Sequence, residues 1–371
     1  MHYQIRFTAV VGVISACLLF TACGGGGGGG DNDQPPVSEQ DDGCSVADKL
    51  KGSTIYAPDF NGDGCEDLAI GAPSKDLTGG AGDEHGQVTV IYGTAEGLLA
   101  EGHDTWHRGG GFTFTDDSLG DIDGDITDRD RFGKTLAWGD FNGDGYSDLA
   151  ISIVGDNPGG FDNAGSVQVI YGSAQGLRAI NTQFINQGGV RIDPEGDGSS
   201  NYLGDIFGGR EAGDSFGSAL VAGNFNGDNY FDLAVGVVNE DVGSVGQAGA
   251  VNVIYGSENG LIPCNNQFIS SDEFRQENDG AGTYTLQGDL MGTSEARDFF
   301  GFSLASGDIN NDGNDDLVVG TVNETITGGP TFVGAVHIIF GSDSGLVPQG
   351  HHHFYLEAAN TDFDGNGTVD S

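Results

Sequence analysis

The chain has 371 residues, and 13 basic against 56 acidic side chains give it a formal charge of −43. So few lysines and arginines exclude a nucleic-acid binder that neutralises phosphates, and they exclude docking on anionic lipid through a basic patch. Hydrophobic residues make up 37% of the chain, enough for a folded core, and an excess of carboxylates is typical of proteins that bind divalent cations.

Residues 1–22 have the pattern of a secretory signal. Arg6 lies in a short polar start, and residues 8–20 are almost entirely apolar but too few to cross a membrane, which takes about 20. Thr21-Ala22-Cys23, followed by seven glycines, resembles the signal of a bacterial lipoprotein. This resemblance implies lipidation at Cys23 and a place in the cell envelope, at the outer membrane or the cell surface.

Residues 23–47 are rich in glycine and acidic residues and contain almost nothing to bury. Such a composition predicts a flexible tether between a lipid and a folded module.

The rest of the chain, residues 48–371, repeats itself. An acidic loop that runs into a short apolar segment occurs four times, beginning at Asp59, Asp140, Asn224 and Asp308, which are 81, 84 and 84 residues apart. A fifth, partial copy begins at Asp362. We place the repeats at residues 48–108, 131–187, 215–271 and 299–356, with a partial repeat at 357–371.

Each copy has similar surroundings. Phe-Gly precedes the loop in three copies, at Phe132, Phe216 and Phe300, and a Val/Ile-rich run that ends in Tyr-Gly or Phe-Gly follows it. Short β-rich segments with glycine turns predict one antiparallel four-stranded sheet in each repeat. Sheets repeated at this period favour a β-propeller.

The combination of Phe-Gly, the acidic loop and Gly71-Ala72-Pro73 in the first copy resembles the FG-GAP repeat of the integrin α-subunit propeller and its bacterial relatives. It implies an all-β fold, a propeller of about four four-stranded antiparallel blades plus a C-terminal partial repeat. Acidic inserts at residues 109–130, 188–214 and 272–298 depart from the family pattern. The sequence leaves open whether this is a shortened propeller or an atypical ring.

The acidic loops have the oxygen spacing of a calcium site. Calcium takes six to eight oxygens at about 2.3–2.6 Å, and positions 1, 3, 5 and 9 supply side chains while position 7 supplies a backbone carbonyl. Position 12 is Ile or Val rather than the Glu of an EF-hand, so we predict a loop that closes a β-hairpin; the alternative is plain Asx turns. The predicted ligands of about four to five structural Ca²⁺ ions are Asp59, Asn61, Asp63, Cys65, Asp67, Asp140, Asn142, Asp144, Tyr146, Asp148, Asn224, Asn226, Asp228, Tyr230, Asp232, Asp308, Asn310, Asp312, Asn314, Asp316, Asp362, Asp364, Asn366, Thr368 and Asp370.

The sequence contains no convincing catalytic set. It has neither a metalloprotease histidine pair nor a Gly-x-Ser-x-Gly turn, so we predict no enzyme activity. We interpret His103 and His107, which flank Trp106, as the exposed edge of an outer strand, and the run His351–His353 as a solvated strand tip rather than a transition-metal site. Cys44 and Cys65 either form a disulfide or, with Cys264, are free.

We therefore interpret the chain as a calcium-binding, lipid-anchored extracytoplasmic propeller, a ligand-binding or adhesion module. Its expected partner is a protein or glycan ligand at the cell surface, with no nucleic acid and membrane contact only through the N-terminal lipid. The inserts are the predicted ligand loops, with the aromatic residues Phe112, Phe114, Tyr202, Phe207, Phe274 and Tyr284. The alternatives are an FG-GAP-containing enzyme acting on polysaccharide or phosphoester, such as a lyase or phospholipase-like protein, and a scaffold subunit of an envelope complex.

Overall fold

The computed structural model of the chain describes residues 57–78, 82–99, 101–113, 118–122, 124–277, 284–290, 293–325 and 333–355. The predicted signal, the tether and the partial repeat, with Cys23, Cys44 and the loop from Asp362 to Asp370, lie outside these residues. Within them, no helix is both long and apolar enough to cross a membrane.

Four antiparallel sheets follow one another along the chain, and we call them blades 1 to 4. Each is a meander, in which strands adjacent in sequence are hydrogen-bonded neighbours. Blade 1 contains β1 (Leu68–Ala72), β2 (Gln87–Ile91), β3 (Asp104–His107), β4 (Gly110–Thr113) and β5 (Ser118–Gly120). Blade 2 contains β6 (Phe132–Gly139), β7 (Asp148–Ile153), β8 (Ser166–Tyr171), β9 (Arg178–Asn186), β10 (Gly189–Asp193) and β11 (Asn201–Gly204).

The other two blades have the same order. Blade 3 contains β12 (Phe216–Gly223), β13 (Asp232–Val237), β14 (Ala250–Tyr255), β15 (Ile262–Ile269), β16 (Phe274–Glu277) and β17 (Tyr284–Gly288). Blade 4 contains β18 (Ser303–Gly307), β19 (Asp316–Thr321), β20 (Ala335–Phe340) and β21 (Val347–Tyr355). A 3-10 helix, Pro158–Gly160, lies between β7 and β8. The register repeats with the sequence, since Ala150 pairs with Val169 in blade 2 and Ala234 with Val253 in blade 3.

The hydrophobic cores lie between consecutive blades. Each contains the phenylalanine of a Phe-Gly pair, Phe132 between blades 1 and 2, Phe216 between blades 2 and 3, and Phe300 between blades 3 and 4. Strands of the middle blades, such as β7 and β13, are buried on both faces, whereas β1 and β18 expose part of theirs. Blades that bury their faces against one another confirm the predicted all-β propeller.

The Phe-Gly pairs also join blades through the backbone. The N–H of Phe216 donates to the carbonyl of Ala164 at 2.8 Å, and Phe216 forms a parallel bridge with Gly165. A Cβ on Gly165 would lie 2.4 Å from the Phe216 carbonyl oxygen, and its φ is +84°, so only glycine fits there. The same bonds join Phe132 to blade 1 and Phe300 to blade 3.

The inserts are strands rather than ligand loops, which differs from the sequence prediction. They add the hairpins β4–β5, β10–β11 and β16–β17 to the outer edges of blades 1 to 3, so within the described residues only blade 4 has the predicted four strands. Phe274 is fully buried, and the Phe207 ring packs against Tyr284 with centroids 4.5 Å apart. Of the predicted ligand aromatics that the structure describes, Phe274 is buried, Phe207 and Tyr284 are half-buried and Tyr202 is exposed. Phe114 and the Phe112 side chain lie outside the described residues.

Two smaller predictions need correction. Trp106 is fully buried because it packs in the core between blades 1 and 2, and β4 pairs with β3, so the strand next to His103 that contains His107 is not an edge. Cys65 is disulfide-bonded, with a partner outside the described residues, whereas Cys264 is free. The possibility that all three cysteines are free is thus wrong.

Candidate metal centre

The four acidic loops lie at one end of the blades, each directly before one of the strands β1, β7, β13 and β19. Position 2 anchors three of them, because Phe60, Phe141 and Phe225 are fully buried in the cores between blades. In loop 4 the same position holds Ile309, which is half exposed. Burial of this residue holds the polar side chains that follow it at the surface.

The aspartate at position 9 ties its loop to the end of the third strand. Asp148 Oδ2 accepts the N–H of Phe141 at 2.8 Å, and its Oδ1 accepts the N–H of Gly172 at 2.9 Å. The corresponding oxygens of Asp67, Asp232 and Asp316 accept the equivalent pairs of N–H groups in the other loops. All four carboxylates are buried and hydrogen-bonded, so they stabilise the fold through these bonds as well as offering oxygens to a cation.

Positions 1, 3 and 5 form a network of turns. In loop 2, Asn142 Oδ1 accepts the N–H of Asp144 at 3.0 Å, and Asp140 Oδ2 accepts the N–H of Gly145 at 2.9 Å. These are the Asx-turn bonds of the alternative interpretation. They do not exclude a cation, because an ionised carboxylate has about four lone-pair sites and each bond occupies one.

The charge in the loops fits a cation. The pKa of Asp67 is raised to about 7, mainly by burial, with a smaller contribution from the carboxylates of Asp59 and Asp63. Burial likewise raises the pKa of Asp148, with Asp140 and Asp144 adding to the shift. Among the described residues, no ion pair involves the carboxylates of loops 2 to 4. In none of the described loops do three carboxylates come within 4.8 Å of one another, so a shared ion would draw them closer.

Loop 3 differs at position 1, where Asn224 replaces aspartate. Its Nδ2 donates to the carbonyl of Asp228 at 2.6 Å, and its buried Oδ1 has no hydrogen-bond partner among the described residues. An orphaned oxygen at this position fits the donor set that calcium prefers. Only Asp228 and Asp232 carry charge among the ligand positions of this loop.

Neighbouring loops are hydrogen-bonded to one another, which sequence reasoning missed. The N–H of Ser147 donates to the carbonyl of Asp59 at 2.9 Å, and that of Phe231 donates to Asp140 at 2.9 Å. The Tyr146 ring also lies over Gly62, where a Cβ would meet it at 2.5 Å. The backbone N–H at position 8 of one loop therefore donates to the backbone carbonyl at position 1 of the loop before it. These hydrogen bonds connect the four candidate sites in one row.

A second set of buried acids lies where consecutive blades meet, and sequence reasoning missed it too. One acid stands two residues before each Phe-Gly and another follows the second strand, which gives the pairs Asp130 and Asp156, Asp214 and Glu240, and Asp298 and Glu324. Spacing alone marks them, since each pair is shifted from the last by 84 residues. We call these the junction acids.

The FG-GAP repeat model matches residues 52–91, 132–170, 216–254 and 300–339. The chain is an FG-GAP repeat protein. Its four blades and four acidic loops make it resemble the N-terminal propeller of integrin alpha subunits.

This FG-GAP protein is similar to proteins of two kinds, a phospholipase D and integrin alphas. Phosphatidylinositol-glycan-specific phospholipase D of Rattus norvegicus is 35% identical over 133 residues, 36% of this chain and 14% of the relative. Integrin alpha-PS2 of Drosophila melanogaster is 31% identical over 195 residues, 51% of this chain and 12% of the relative. Integrin alpha-5 of Xenopus laevis is 25% identical over 319 residues, 85% of this chain and 22% of the relative. The chain thus spans less than a quarter of these relatives' length.

Proposed function

We propose that this FG-GAP protein is a calcium-loaded propeller that binds a protein or glycan ligand at the cell surface and is held to the envelope by lipid at Cys23. The observation that carries the calcium part is the row of loops in which the buried carboxylate at position 9 faces further carboxylates of the same loop. The relatives named as integrin alphas support a binding role.

Calcium would serve here as a structural tie. Bound calcium supplies positive charge that relieves the repulsion among the carboxylates, and the residues to hold it are those at positions 1, 3, 5, 7 and 9. Because the loops are hydrogen-bonded to one another, order in one loop favours order in the next. Calcium binding is then linked to folding, which predicts a higher melting temperature in calcium.

The added hairpins offer the ligand surface. Tyr202 on β11 and Leu286 on β17 are 54% and 55% exposed, each on the outermost strand of its blade. Exposed aromatic and aliphatic residues at such an edge suit the apolar face of a sugar ring or an apolar patch on a protein.

The test is binding to a glycan array and to a panel of purified extracellular proteins, in calcium and in chelator. Tyr202→Ser and Leu286→Ser should lose the binding at unchanged melting temperature, whereas Ile180→Ser, which removes an equally exposed residue on β9 (55% exposed), should keep it. Binding that survives both hairpin variants would place the ligand elsewhere and contradict this part of the proposal.

An enzyme acting on phosphoester or polysaccharide, phospholipase-like or a lyase, is the second candidate, since relatives are named as a phospholipase D. Turnover of a phosphoester and polysaccharide panel by the purified chain would favour it. A stable co-purifying envelope protein would instead favour a scaffold subunit.

A further inference from the structure

The junction acids have different partners at each blade boundary. Between blades 1 and 2, the Arg108 guanidinium donates to Asp156 and lies 3.7 Å from Asp130, and Ser166 Oγ donates to Asp156 at 2.7 Å. Between blades 2 and 3, Gln187 Nε2 donates to Glu240 at 2.5 Å. Between blades 3 and 4, Glu324 is equally buried, yet its Oε2 has no hydrogen-bond partner among the described residues.

Blade 4 also differs from blade 3 at a pair of facing residues on its third and fourth strands. In blade 3 the third strand carries the buried polar residue Asn252. Its Nδ2 donates to the Phe207 carbonyl at 2.8 Å, its Oδ1 has no hydrogen-bond partner in the described part of the chain, and its cross-strand neighbour is Phe268. In blade 4 this pair is His337 and His353. Both nitrogens of the fully buried His337 and the Nε2 of His353 lack a hydrogen-bond partner in the described part of the chain.

These unpartnered atoms converge. Ligand atoms of Glu324, His337 and His353 lie within 4.8 Å of one another, and the two imidazole rings are stacked with centroids 4.2 Å apart. Buried polar atoms that make no hydrogen bond are costly, so three side chains that leave theirs unpaired around one point indicate a missing partner. The partner must accept lone pairs from two nitrogens and one oxygen, which water does only weakly and a metal cation does well.

We infer that Glu324, His337 and His353 bind a divalent transition-metal ion, Zn²⁺ by preference. Two imidazoles and one carboxylate are a known protein ligand set for zinc, at about 2.0–2.2 Å, whereas calcium takes oxygen ligands alone. Because the two imidazoles are stacked, their side chains would have to rotate to bring the ligand atoms of all three residues onto one ion. The fourth position stays open to water or to a further ligand.

Neighbouring carboxylates favour the cation. Oxygens of Glu295 and Asp298 lie within 4.8 Å of Glu324, and Asp298 is itself buried. At the first boundary the chain places an arginine between two acids. At the third it places three acids together, and within the described residues no ion pair joins them to a basic side chain. A divalent ion at Glu324 would supply the charge that Arg108 supplies there.

The experiment measures zinc on the full, untagged chain in saturating calcium, so that the acidic loops do not compete. Zinc content after dialysis, calorimetric titration with Zn²⁺, and the visible spectrum with Co²⁺ as a substitute give three independent readouts. The variants are His353→Phe and His337→Asn, which restore the residues found at these positions in blade 3 and are therefore expected to fold. His352→Gln is the matched control, because His352 lies in the same histidine run but is exposed.

We expect one tightly bound zinc per chain and a tetrahedral cobalt spectrum. Each of the two variants should weaken zinc binding by at least about 100-fold, since losing a ligand exceeds the 10–100-fold loss typical of its supporting residues, and His352→Gln should bind like the parent. Absence of zinc binding by the parent, or unchanged binding in His353→Phe, would overturn the inference. Equal loss in His352→Gln would assign the metal to the surface histidine run and overturn it as well. Calcium-dependent melting is untouched by any of these outcomes.

Discussion

Asp148 Oδ1 accepts the N–H of Gly172, 24 residues away, at 2.9 Å. The bond joins the end of an acidic loop to the glycine that follows the third strand, and it forms in all four repeats. As a pure calcium ligand, Asp148 would matter only when the metal is bound. Its buried bonds to two backbone N–H groups give it a second role that does not require metal.

This dual role leads to our first prediction. Asp148→Ala should lower the free energy of unfolding by about 3 kcal/mol even in chelator, because two buried N–H groups lose a charged acceptor. Asp144→Ala, at an exposed position of the same loop, should change stability in chelator by less than about 0.5 kcal/mol. Denaturant unfolding of both variants with and without calcium measures this.

In calcium, Asp144→Ala should lose the gain that its site supplies, about 2.7 kcal/mol at 100 times the dissociation constant. If the parent has the same free energy of unfolding with and without calcium, the loops are Asx turns and not calcium sites.

The second prediction concerns the order of the sites. Loop 3 has two carboxylates at its ligand positions because Asn224 replaces aspartate, so it should be the weakest site and empty first on chelation. Asn224→Asp should tighten that site by about tenfold, or about 1.4 kcal/mol. Calcium titration followed by calorimetry resolves the steps. Asn226→Asp is the control at a position that is asparagine in every described loop; a larger gain there would contradict the assignment.

The third prediction is a pH dependence at the junction acids. Burial raises the pKa of Glu240 to about 8 and that of Asp214 to about 7, and Glu211 and Asp241 add to the charge around Glu240. Folded pKa values above the unfolded ones mean that the folded chain holds these protons more tightly. The stabilisation that comes from holding these protons is complete below the unfolded-state pKa values of about 4. It is lost as pH rises through about 7 and 8.

Glu240→Gln removes one of the titrating groups while keeping an oxygen for Gln187. The variant should gain on the order of 2 kcal/mol over the parent at pH 9 and little at pH 5. Asp156→Asn, at the same place one repeat earlier, should instead cost about 3 kcal/mol, because it leaves the buried Arg108 without its nearest acid. Thermal unfolding across this pH range tests both, and a loss of stability in Glu240→Gln at pH 9 would contradict the argument.

The fourth prediction concerns the anchor. If Cys23 is lipidated as we propose, its sulfur carries the lipid. Cys23→Ser should then release the protein from the membrane fraction and abolish lipid labelling. Cys17→Ser, at the other cysteine of the signal segment, should leave both unchanged. Fractionation and labelling with a lipid precursor measure the two effects, and a Cys23→Ser protein that stays labelled in the membrane would disprove lipidation there.

The sequence by itself determined the repeat, the fold class and the places of the loops. Strands such as β7 and β13 and the loops before them follow from an apolar run after a glycine-rich acidic turn, which is local information repeated at a fixed spacing. The burial of Phe132, Phe216 and Phe300 follows from the same repetition, since one copy predicts the others.

Only the tertiary structure decided what lies between repeats. The inserts became strands because their backbone pairs with the outer edge of an existing blade, a register that no local pattern contains. Arg108 reaches Asp156 across 48 residues, and Glu324, His337 and His353 meet only because antiparallel strands place them side by side. These contacts depend on how blades pack, and packing joins residues whose distance in space is unrelated to their distance along the chain.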